Sequence, residues 1–119
     1  MVILVVVMLQ ETIKKIYVDN QINRYIALIV DATRHHRSVY LGASPRGSLA
    51  LFRTAQAHAL IYGRDFVLPD DVKNLAEVVL SHRIVPIAGA ARSREDKDAN
   101  STIVSEILDS VHVPGAIPK

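Results

Sequence analysis

The sequence predicts an all-α protein, a helical bundle of about four to five helices. Three observations predict it. Four segments space their apolar residues three and four apart, which puts one stripe on one side of a helix. Helix punctuation bounds most of them, with Asp19, Ser44-Pro45, Pro69 and Asn100-Ser101 before and Gly63, Pro86 and Pro114 after. The 119 residues suit one domain, and half of them are hydrophobic, enough for one core. Only 5% are aromatic and Trp is absent, so that core is built from Val, Ile, Leu and Ala. Cysteine is absent too, which excludes disulfides, thiolate catalysis and Cys-ligated metals.

Taken in order, residues 1–16 are ambiguous. Val2 to Val7 is rich in β-branched residues and reads as a strand, whereas Leu9, Thr12, Ile13 and Ile16 have helical spacing. The apolar run 1–8 is too short to span a bilayer, which takes ~20 residues, and it lacks the basic start and cleavage site of a signal peptide. A cytoplasmic protein without a membrane partner is expected. The division expected is a lead-in at 1–8, left from a junction to a preceding domain, a helical domain at 9–114 and a tail at 115–119.

Asp19 caps the next helix, whose stripe is Ile22, Tyr25, Ile26, Ile29, Val30 and Thr33. Arg24, Asp31 and Arg34 fall off it. Residues 35–44 read as a polar connection. Ser44 at the N-cap and Pro45 at the first helical position open the third helix, with Leu49, Phe52, Ala55, Ala59 and Leu60 as its apolar face and Gly63 as its stop. After an extended link, Pro69 opens a fourth helix. Asp70 and Asp71 favour the positive end of its dipole, and His82-Arg83 suit the negative end. Its face is Val72, Leu75, Ala76, Val79 and Leu80. Residues 88–100 read as a small, charged loop. Asn100 or Ser101 then caps a final helix with Ile103, Val104, Ile107, Leu108 and Val111 on one face.

The net charge of +2 is unevenly spread. Residues 1–23 balance, 24–64 carry six Arg against one Asp, and 65–119 carry six bases against nine acids. An arginine-only basic middle suits an anionic partner, because guanidinium pairs with phosphate or carboxylate as a planar fork. The sharpest candidate is Gly42-Ala-Ser-Pro-Arg-Gly47. A helix start exposes N–H groups and a positive dipole end, two glycines leave backbone uncovered, and Arg46 adds a cation suited to a phosphate oxygen. On residues alone, a solvated first-turn arginine remains the alternative.

Other polar residues read as structural. His35 and His36 are adjacent and have no acidic cluster nearby, so they read as surface histidines and no metal site is expected. His58 reads as packed or half-exposed. Arg53, two turns after Arg46, reads as solvated, and Arg64 with Asp65 reads as a local pair. No Ser, His and Asp arrangement supports hydrolase chemistry.

Several motifs occur together in one order: Tyr17-Val-Asp19, Tyr25-Ile26, Ala32-Thr-Arg34, Leu41-Gly-Ala-Ser-Pro-Arg-Gly-Ser-Leu-Ala-Leu51, Ala55-Gln-Ala57, Tyr62-Gly-Arg-Asp65, Pro69-Asp-Asp-Val72 and Leu80-Ser-His-Arg-Ile84. This set resembles the C-terminal lid of MoxR-type AAA+ ATPases, of the magnesium-chelatase-like clade, over roughly residues 9–114. The resemblance implies that Arg46 is the sensor 2 residue, reaching the γ-phosphate of ATP on a neighbouring P-loop domain, with Gly42, Ala43, Ser44 and Pro45 beside the nucleotide. It implies ATP and Mg2+ in the full-length protein, a ring of copies, usually six, and chaperone-like remodelling, often with von Willebrand factor A domain partners.

The chain departs from such ATPases in having neither Gly-x-x-x-x-Gly-Lys-Ser/Thr nor an acidic metal-binding strand of the Walker B kind. It is therefore expected to be inactive alone and to bind no nucleotide tightly. It also has Leu68 where the family often has Thr or Ser before Pro-Asp-Asp, a weaker cap. Two other functions fit the residues less well. A helical nucleic-acid binder would use the basic middle, but stacking aromatics and lysines are few and the C-terminal half is acidic. A protein-interaction module would use the apolar run 1–8.

Overall fold

The computed structural model describes residues 2–87 and 99–114. Five helices carry the fold: α1 (Val2–Lys14), α2 (Asn20–His35), α3 (Pro45–Ile61), α4 (Pro69–Leu80) and α5 (Ala99–Ser110). Two short strands, β1 (Val39–Leu41) and β2 (Val85–Pro86), pair antiparallel. The all-α expectation holds, with this one addition.

The α2 stripe is buried at every expected position, Ile22, Tyr25, Ile26, Ile29, Val30 and Thr33. Asp19 is its N-cap and accepts from the Gln21 N–H at 2.9 Å, as expected. Helices α3 and α4 form the most extensive pair, and α2 and α5 close the core over them. Ile103, Val104, Ile107 and Leu108 of α5 are buried as expected. Gly63 sits at φ +75°, a left-handed conformation that ends α3 and that glycine adopts at little cost.

The buried face of α3 is rotated from its expected position. It runs through Gly47, Leu51, Ala55, Gln56 and Ala59, while Leu49 is 57% exposed. Because α3 is rich in small residues, Leu49 and Leu51 each continue a plausible stripe. Contact with α4 selects the one that includes Gly47. Gln56 is buried because it is paired. Its Nε2 donates to Ile16 O at 2.8 Å, and Arg53 Nη1 donates to its Oε1 at 2.9 Å. This ties the chain before α2 to α3, and the Tyr17–Phe66 bridge ties it to the link before α4.

Residues 2–7 are helical, which resolves the ambiguity of this segment against a strand. Among the described residues no strand lies beside them to pair their backbone, and β-branched residues lose only tenths of a kcal/mol in a helix. Helix α1 runs through Met8 and Leu9 without a break. None of its residues is buried, and Val2 to Leu9 are 45–79% exposed. No helix of the described residues is long and apolar enough to cross a membrane.

The connection 35–44 is more ordered than a polar loop. Val39 opposes Pro86, Leu41 opposes Val85, and Ile87 N–H donates to Ser38 O at 2.8 Å. The expected loop at 88–100 lies outside the described residues up to 98, and Ala99 and Asn100 begin α5. Asn100 does not cap α5. Its Nδ2 donates to Ser81 O at 2.6 Å and to Ile84 O at 3.2 Å, fastening α5 to the end of α4.

Tyr25 is 1% exposed, and its hydroxyl is the buried side-chain polar atom without a partner among the described residues. Burial first, and the Asp70 carboxylate second, raise its phenol above the ordinary value. An unpaired buried hydroxyl carries an uncompensated desolvation cost. Tyr25→Phe is therefore expected to leave stability unchanged or raise it by up to about 1 kcal/mol. Chemical denaturation checks this, and a loss above that size would show that the hydroxyl has a partner.

Candidate functional site

The turn into α3 is built by α2. Thr33 occupies the core side of α2 and is fully buried. Its hydroxyl donates to Val30 O at 2.6 Å and accepts the Ala43 N–H at 2.9 Å. One residue on, Arg34 Nε donates to the Ala43 carbonyl at 3.1 Å. Both backbone polar groups of Ala43 are thus held by adjacent residues of one helix.

Glycine at 42 makes this approach feasible. A Cβ there would lie 2.7 Å from Arg34 Cγ and 2.8 Å from the Arg34 Cα and N. Those backbone atoms belong to α2 and cannot yield cheaply. Gly42→Ala is expected to cost about 1–3 kcal/mol, the range for overpacking a tight contact. Thermal unfolding tests it, and an unchanged Tm would mean that the turn relaxes freely.

Downstream, Gly47 lies against α4. A Cβ on it would meet Ala43 Cβ at 3.1 Å, Leu80 Cδ2 at 3.5 Å and Arg83 Cδ at 3.7 Å. Arg46 lies between these two anchored points and is exposed, making no hydrogen bond or ion pair among the described residues. Ser44 stands at the N-cap, yet its side chain makes no cap hydrogen bond, which corrects the expectation that it fills a donor. Pro45 has no N–H, and Gly47 N–H donates to Ser44 O at 2.8 Å. The turn presents a guanidinium at the positive end of the α3 dipole, chemistry suited to one edge of a phosphate. The segment 42–46 offers no carboxylate for a divalent cation.

The structure brings Gly42, Ala43, Ser44, Pro45 and Arg46 together as one turn and adds three residues not assigned to it from sequence. Thr33 and Arg34 hold it from α2, and the stem of Arg83 lies beneath it. Their only sequence signal was that they stand in motifs. Their spacing to residue 43 or 47 does not disclose contact. Arg53 lies elsewhere, over the Phe52 ring and bonded to Gln56.

Two further polar readings change. Arg64 does not pair with Asp65. Its two Nη atoms each donate at 2.7 Å to Asp71, which is 1% exposed. Asp71 also accepts from the Leu68 N–H at 2.7 Å and from His58 Nδ1 at 2.6 Å. Burial would raise the Asp71 carboxyl, but Arg64, the Leu68 N–H and His58 outweigh it and hold it at about 2, against 3.8 ordinarily. His36 is not a surface residue, with a side chain only 13% exposed. Its Nδ1 accepts the Ser38 N–H at 3.0 Å, so its Nε2 carries the proton to Glu106 on α5 at 2.9 Å. Among the described residues no group of three His, Asp or Glu side chains is placed to hold a metal ion.

A family model described as AAA lid domain matches residues 31–107, which include the whole Ala43 clamp and Arg46. The chain is 44% identical over 108 residues to the uncharacterized protein YeaC of Bacillus subtilis, covering 91% of this chain and 33% of that protein. It is 32% identical over 122 residues to chaperone MoxR1 of Mycobacterium tuberculosis, covering 93% of this chain and 32% of that protein. A solved structure described as "a putative ATPase" from Cytophaga hutchinsonii superposes with a TM-score of 0.77 at 30% identity, over 87% of this chain and 33% of that one. The chain thus spans about a third of the length of the relatives it matches.

Proposed function

Since this chain belongs to the AAA lid domain family and is similar to lids of MoxR-type AAA+ ATPases, we propose that it closes over ATP held by a P-loop core, with Arg46 as the sensor 2 residue. The observation that supports this most directly is the geometry of the α3 start. An exposed guanidinium, unpaired among the described residues, stands on a turn whose two flanks are fixed and whose N-cap side chain is idle.

ATP fits that arrangement at its terminal phosphate. The guanidinium supplies charge and paired donors to γ-phosphate oxygens, where negative charge is redistributed during transfer. Mg2+ has no ligands on this turn, so its site lies with the phosphates and the core. When the γ-phosphate leaves, Arg46 loses its partner, and the lid position comes to depend on the nucleotide. Repeated around a ring of copies, six in our reading, such motion can drive chaperone-like remodelling of a client. A protein with a von Willebrand factor A domain is the partner class we expect.

The reading is tested by placing one fluorophore on α5 and another on the P-loop core of the full-length ATPase. ATP is expected to bring them closer than ADP does, and Arg46→Ala to erase the difference. ATP turnover by the 119-residue chain alone would overturn the proposal.

A further inference from the structure

We infer that Thr33 and Arg34 are positioning residues for Arg46, which they serve by clamping the backbone N–H and C=O of Ala43; this rests on the sensor reading of Arg46. A hydroxyl has one proton to give. Thr33 gives it to Val30 O, so its oxygen is left to accept, and the Ala43 N–H fills it. The bond is buried at both ends, with Thr33 fully covered and Ala43 1% exposed. No water can replace it there. The Arg34 Nε–H holds the carbonyl of the same residue, and the absent Cβ of Gly42 lets the chain lie directly on Arg34.

The clamp acts three residues before Arg46, and one residue after it the chain is held at buried Gly47, where an added Cβ would meet Ala43 and Leu80. Fixing both flanks limits the directions in which the guanidinium can extend. The ordering cost is thus met during folding instead of during the reaction. Thr33 and Arg34 lie on α2, so the position of Arg46 is set by a helix other than the one that carries it.

Thr33→Val keeps the shape and removes the hydroxyl, Thr33→Ser keeps the hydroxyl, and Arg34→Ala removes the exposed half of the clamp. Amide exchange at Ala43, measured in the 119-residue chain, is expected to quicken at least about tenfold in Thr33→Val and to stay near wild type in Thr33→Ser. In the full-length ATPase, Thr33→Val is expected to lower kcat about tenfold and Arg34→Ala about threefold, with KM for ATP little changed. On an Arg46→Ala background both are expected to cost nothing further, because they act through that side chain. Equal losses on both backgrounds would overturn positioning in favour of a general structural role. Faster exchange at Ala43 with unchanged kcat would overturn it as well, while leaving the sensor role intact. An Arg46→Ala enzyme of normal activity would remove the sensor reading, and the positioning role with it.

Discussion

Arg46→Ala in the full-length ATPase is expected to lower kcat for ATP hydrolysis at least about tenfold, equivalent to ~1.4 kcal/mol of transition-state stabilisation. The loss reaches about a thousandfold if this side chain carries the share that arginines carry in other phosphoryl transfers. The direction follows from position. Arg46 is exposed and makes no hydrogen bond or ion pair among the described residues, so its removal breaks none within the lid. Any effect on turnover must come from what it meets outside the lid. KM for ATP should move less than kcat, because a contact that strengthens as charge develops acts mainly on the transition state. Arg46→Lys should recover only part of the rate, since an ammonium keeps the charge but not the planar fork. Steady-state kinetics on the three enzymes decides the matter, and unchanged hydrolysis in Arg46→Ala would remove the sensor role.

The second large effect concerns the fold itself. Asp71→Ala is expected to destabilise the domain by about 3–5 kcal/mol, the range for removing one partner of a buried ion pair. Against a typical total of about 5–15 kcal/mol this is a large share. It corresponds to a drop in Tm on the order of 10–20 °C. The cost is high because Asp71 serves four donors. Two come from Arg64, one from the His58 ring and one from the Leu68 backbone that leads into α4. Its loss leaves all four facing a nonpolar side chain.

The same carboxylate makes stability depend on pH. Its pKa is lowered from 3.8 to about 2 in the folded protein. The folded state therefore binds its proton less readily than the unfolded chain does. The resulting stabilisation is present in full above the unfolded value and is lost as pH falls through about 2. Thermal melts of wild type and Asp71→Ala between pH 6 and pH 2 are expected to differ most at the upper end and least at the lower. A constant gap across that range would contradict the assignment.

What could be read from the residues divides along a physical line. The α2 stripe, the Asp19 cap, the Gly63 stop and the α5 stripe follow from relations within a few residues, namely helical periodicity and terminal chemistry. The turn that carries Arg46 was legible for the same reason, since its motif is contiguous. Where two stripes were available, as with Leu49 and Leu51 on α3, periodicity could not choose between them, and packing of Gly47 against α4 did. Residues 2–7 show the opposite failure. Their β-branched composition suggests a strand, but a strand needs a neighbour, and the described residues provide none.

By itself the sequence determined the helical class and most helix boundaries, and it singled out Arg46 as the candidate to meet a phosphate. Tertiary structure decided which polar groups pair: Thr33 with Ala43, His58 and Arg64 with Asp71, and His36 with Glu106 across 70 positions. Apolar burial obeys a local repeat, because any face of a helix can turn inward. A buried hydrogen bond needs one particular donor at about 3 Å from one particular acceptor, and only the folded chain brings the two together.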